Sequence, residues 1–107
     1  MKHLIEIHER ELTKARAAVE ETTKQVEYTR RRFNEESARH AEAVRVRAML
    51  NAASVPAAGL TVMEGILAEA QAAMDKEQQS LATLVALLRA RTGVVTGLEA
   101  ALAALRA

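Results

Sequence analysis

Asn51-Ala-Ala-Ser-Val-Pro-Ala-Ala-Gly-Leu60 is the stretch that decides how this chain folds. It contains the only proline, Pro56, and the first glycine, Gly59. Inside a helix, proline loses a backbone hydrogen bond and its ring clashes with the preceding turn, so a helix arriving from residue 3 must stop near residue 52. Gly59 is free to adopt the left-handed conformation that turns a chain. Thr61, with Glu64 three residues later, has the spacing of a capping box, which predicts that the next helix starts near Thr61. The reading is therefore all-α and a single helical hairpin over 1–107, with helix 1 at about 3–52, a hinge at 53–59 and helix 2 at about 60–105.

Working outward from the hinge, each half carries a heptad seam. Alternate steps of three and four through the first half pass Ile5, His8, Leu12, Ala15, Val19, Thr22, Val26, Thr29, Phe33, Glu36, His40, Ala43, Arg47 and Leu50. The same steps through the second half pass Leu60, Met63, Leu67, Ala70, Met74, Glu77, Leu81, Leu84, Leu88, Arg91, Val95, Leu98, Leu102 and Leu105. A repeat of 3.5 residues sustained this long returns each side chain to one stripe of a slightly underwound helix, the mark of a coiled coil. A short hinge makes the helices antiparallel neighbours, and a register in which partner numbers sum to 110 centres the turn on Val55 and Pro56. Glu36, Glu77, Arg91, Arg47, His8 and His40 then read as polar layers that set the register.

Composition agrees with long helices. Of 107 residues, 50% are hydrophobic and only 2% aromatic, so Ala, Leu, Val, Ile and Met supply the packing surface. Twenty of the 29 charged residues fall in 1–54 and nine in 55–107, which makes the first helix the solvated one. The second helix has apolar residues beyond its seam: Ile66, Ala73, Leu87, Val94 and Ala101 recur at multiples of seven, with Val85 beside them. One neighbouring helix cannot cover both stripes, so a homodimer forming a four-helix bundle, or a different protein partner, is expected there.

Several chemistries are excluded. Without cysteine there is no disulfide framework, thiolate zinc site or cysteine nucleophile. No phosphate-cradling glycine loop, dinucleotide fingerprint, nucleophile elbow or zinc-protease motif occurs, so no enzyme, cofactor or metal is expected. His3, His8 and Glu11 read as solvated and seam residues rather than as metal ligands. The charge of +1 gives no support to nucleic-acid binding. The charged opening Met1-Lys2-His3 does not resemble a secretory leader, and no uninterrupted apolar run reaches the ~18 residues of a membrane span. Arg30, Arg31 and Arg32 form a collar around the first helix. Glu27, Glu35 and Glu36 lie within ion-pairing steps of it, so it reads first as a solvated face and next as a contact for an acidic protein surface.

Two segments, Leu4-Ile-Glu-Ile-His-Glu-Arg-Glu-Leu-Thr-Lys-Ala15 and Ile66-Leu-Ala-Glu-Ala-Gln-Ala-Ala-Met-Asp-Lys-Glu-Gln-Gln-Ser-Leu81, together with the hairpin layout, resemble the FliJ/YscO family of type III protein export stalks. The resemblance implies a cytoplasmic protein of a flagellar or injectisome system, peripheral at the inner membrane. Such a protein binds the export ATPase ring and touches the export gate through Ile66, Ala70, Ala73 and Glu77. Two other classes stay open: a self-assembling coiled coil or four-helix bundle with no export role, and a secreted Trp-x-Gly hairpin. The latter requires that tripeptide at the turn, where Val55-Pro56-Ala57 stands instead.

Overall fold

The computed structural model describes residues 1–107 and reverses the chain direction once. Helix α1 runs Lys2–Ala52 and helix α2 runs Ala57–Arg106, with no strand, giving an antiparallel two-helix hairpin. All twenty-eight positions on the two heptad stripes are buried or half-buried. Outside them, only Ala18, Thr23, Ser37 and Val46 of α1, Val55 of the connection, and Gly59, Gln71, Ala73, Val85 and Ala101 of α2, are even half-buried. The period of 3.5 residues therefore dictates what packs in this protein.

The connection differs from expectation in which residue bends and where α2 begins. Ser54, not Gly59, adopts the left-handed conformation, with φ of 55°. The Ser54 amide donates to the Asn51 carbonyl at 3.2 Å and the Val55 amide to the Leu50 carbonyl at 3.3 Å, the paired bonds of a Schellman cap. The Leu50 and Asn51 carbonyls near the end of α1 are thereby satisfied. Pro56 follows at once, and its carbonyl accepts from the Gly59 amide at 3.0 Å. Helix α2 thus enters directly behind proline, whose fixed φ suits a helix start and whose missing N–H would have had no partner there. Thr61 consequently lies inside α2, and its hydroxyl donates back to the Ala57 carbonyl at 3.0 Å, so the expected capping box is not formed. Gly59 serves close approach instead: a Cβ at this position would lie 3.0 Å from Val55 Cγ1.

The chain divides into two compact units. The turn unit, Tyr28–Leu81, packs Thr29, Ala43 and Met63 in its core. Its helices are joined by Arg47 to Glu64 at 3.3 Å and Arg32 to Glu77 at 3.1 Å, both within one residue of the expected register. The end unit comprises Met1–Glu27 with Ala82–Ala107 and buries Leu12, Thr22, Val26 and Leu102. Here Arg91 meets Thr22, Arg16 meets Glu99 and Arg106 meets Glu9, three to five residues beyond that register. Since an arginine stem can reach about one helical turn of 5.4 Å, such contacts fix the register to about a turn.

Mean hydropathy along α2 adds a feature that unbroken runs do not show. The helix contains an eighteen-residue stretch of mean hydropathy 1.4, long and apolar enough to cross a membrane. A search for unbroken apolar runs misses it because the average tolerates isolated charges such as Arg89 and Arg91. Part of this apolar content belongs to the seam: Leu84, Leu88 and Leu98 of α2 are half-buried in the hairpin.

Candidate partner-binding site

All the charged and histidine seam residues except His40 have a hydrogen-bond or ion-pair partner, some across the hairpin and some along their own helix. Glu36 accepts from Arg39 one turn on at 3.4 Å, and His8 Nδ1 lies 2.8 Å from the Leu4 carbonyl. Thr22, fully buried, uses its hydroxyl twice. It donates to the Ala18 carbonyl at 2.7 Å and accepts from the Arg91 guanidinium. A hydroxyl is one of the few groups small enough to do both in a seam.

The arginine collar is not one site. Arg32 leaves it for α2, where its Nε donates to Glu77. Its guanidinium carbon also stands 5.9 Å from the centre of the Tyr28 ring. Hydrogen bonding to Glu77, and then to Tyr28, raises the Arg32 pKa above its ordinary value. None of the neighbouring carboxylates Glu27, Glu35 and Glu36 pairs with the collar; Glu36 pairs with Arg39, and Arg32 with Glu77. Arg30 and Arg31 remain exposed and form no ion pair.

The stripe of α2 is exposed at Ile66, Leu87 and Val94, and Val62 one turn before Ile66 is exposed as well. Ile66 is 47% exposed and Val62 64% in the turn unit; in the end unit Leu87 is 37% exposed and Val94 54%. Ala73, Val85 and Ala101 are half-buried. Within the turn unit the two helices leave an open groove of about 530 Å³. Ile66, Ala70 and Ala73, three of the four residues to which the family resemblance assigns partner contact, line this groove together. The fourth, Glu77, does not line it and is held by Arg32.

The facing bank comes from α1, and sequence reasoning did not find it. Glu36, Arg39, Glu42, Ala43 and Val46 form that wall. The available signal was the pair Arg39 and Val46, seven residues apart and each one step before a seam position, but only α2 shows an apolar run that draws attention to a second stripe. Chemically the site is an apolar, alanine-floored trough with charged edges. Its Glu42 and Glu69 carboxylates belong to no ion pair. No cluster of three or more histidine or acidic residues is arranged to hold a metal.

Compared with known proteins, the chain matches no family model, no curated protein and no solved structure.

Proposed function

We propose that this protein is a non-catalytic coiled-coil hairpin that acts by binding a protein partner, and that the exposed apolar side of α2 is where it binds. The observation that carries this reading is that Ile66 and Val94 stay about half exposed although both heptad stripes already pack against each other. Isolated apolar side chains on a surface are ordinary, but apolar residues recurring every seven positions beside a satisfied seam mark a further helix contact. The test is Ile66→Glu, measured for its effect on association with partner and on helix content. Lost association with unchanged helicity is expected. Unchanged association of this variant and of Leu87→Glu would overturn the reading.

A narrower reading follows from the resemblance of residues 4–15 and 66–81 to export stalks. In it the chain is a cytoplasmic component of a type III export apparatus, peripheral at the inner membrane. The ATPase ring is met by the free arginines Arg30 and Arg31, and the gate by Ile66, Ala70 and Ala73, with Glu77 beside them. It is supported by the hairpin fold and by the grouping of those three residues in one groove. Arg30→Glu/Arg31→Glu should abolish stimulation of the cognate ATPase while sparing gate binding, and Ala73→Trp should do the reverse. If the hairpin neither binds nor stimulates an export ATPase from its own cell, a self-assembling four-helix bundle takes the place of the export reading.

A further inference from the structure

The groove of the turn unit has a chemistry that specifies its occupant more closely than apolarity alone. Its floor is short: Ala43 on one bank and Ala70 and Ala73 on the other leave room for longer side chains from outside. Met63 and Ile66 provide the apolar wall against which such side chains pack. Each bank runs about three turns, ~15 Å at 1.5 Å per residue. The edges are acidic. Glu42 on α1 and Glu69 on α2 are both exposed and without an ion-pair partner, while the one cation of the lining, Arg39, is already engaged by Glu36.

We propose that this groove binds an amphipathic helix of another protein, one that carries Lys or Arg along both edges of an apolar stripe. Such a helix would complete a three-helix bundle over these turns, its apolar residues filling the alanine trough and its cations meeting Glu42 on one side and Glu69 on the other. Electrostatics distinguishes this occupant from a second copy of the chain. Glu42 and Glu69 lie near the midpoints of their banks, so two copies related by a two-fold axis through the groove would set these carboxylates against their own duplicates. The inference rests on the reading of the hairpin as a partner-binding protein and names the chemistry of that partner.

The test uses the full chain and two synthetic peptides of about 14 residues, roughly four helical turns. One has Leu at i, i+3, i+7 and i+10 with Lys flanking each Leu. Its twin has Glu in place of every Lys. Fluorescence anisotropy at physiological salt should show the Lys peptide binding at least about tenfold more tightly than the Glu peptide, with the gap shrinking as salt is raised. Glu42→Lys/Glu69→Lys should reverse the preference. Ala73→Trp should remove binding of the Lys peptide while circular dichroism shows the same helix content. Equal binding of the two peptides, or indifference of the Lys peptide to both variants, overturns the proposal. So does a dimer of the free hairpin that Ala73→Trp dissociates, since the groove then belongs to a second copy. If the peptides fail while Leu87→Glu still weakens association with a partner, the groove assignment falls alone. If Leu87→Glu and Ile66→Glu are also silent, the partner-binding reading falls with it.

Discussion

At the scale of single residues, the buried polar contact between Thr22 and Arg91 shows how this hairpin tolerates a cation in its seam. Arg91 is half-buried and has no carboxylate, so the Thr22 hydroxyl is its hydrogen-bond partner across the helix pair. Thr22→Val keeps the shape and removes the acceptor. It should lower stability by about 1–3 kcal/mol in urea unfolding, the cost of leaving a partly buried donor unmade, and Arg91→Leu in the same chain should restore most of that loss. A gain on Thr22→Val alone would show that Arg91 reaches water unaided. Ser54 is a second residue-scale case. A non-glycine residue in the left-handed region costs about 1–2 kcal/mol, part of which glycine regains at the expense of unfolded-state entropy. Ser54→Gly should therefore raise stability by about 1 kcal/mol, or roughly 4–8 °C in melting temperature. Neither residue was marked out in the sequence. Thr22 reads as one more weak seam position, and Ser54 stands in a turn where Gly59 is the obvious candidate for positive φ.

At the scale of the helices, the hinge and both seams were legible because period and proline act locally and strongly. The start of α2 was not. Thr61 and Glu64 have the right spacing for a cap, but Pro56 supplies a better entry four residues before the expected one, and the cap has nothing left to do. The acidic edges of the groove were also hidden, since Glu42 and Glu69 are 27 positions apart and look like ordinary solvated charges until the hairpin sets them on opposite banks. The glycines of α2 separate into two kinds. Around Gly65, Gly93 and Gly97 a Cβ would meet no atom within 4 Å, so each change to Ala should stabilise α2 by about 0.5–1 kcal/mol through lost unfolded-state freedom. Gly59→Ala should gain much less, or lose, because the new methyl meets Val55 at 3.0 Å. Thermal melts of the four single variants check this, and equal gains at all four positions would contradict the assigned role of Gly59.

At the scale of the whole molecule, the expected behaviour is association without loss of fold. Leu87 is 37% exposed, so only that part of its surface is free to be buried in a contact, and Glu there would forfeit that burial and bring a charge that the contact must desolvate. Sedimentation velocity should show Leu87→Glu weakening a dimer or a complex by tenfold or more with helicity unchanged. A monomer indifferent to the change would make that stripe idle surface. The Schellman turn has one more effect, on the route by which the hairpin assembles. The ion pairs linking the helices are separated by 17 residues for Arg47 and Glu64, 45 for Arg32 and Glu77, and 97 for Arg106 and Glu9. Closing the largest loop first requires a long entropic search, but once the turn is set each later pair extends a structure already closed, so its added cost is small. Assembly therefore zips from the turn toward the chain ends. The stability gained by Ser54→Gly should appear as faster refolding with an almost unchanged unfolding rate, while changes at Arg106 or Glu9 should alter the unfolding rate instead.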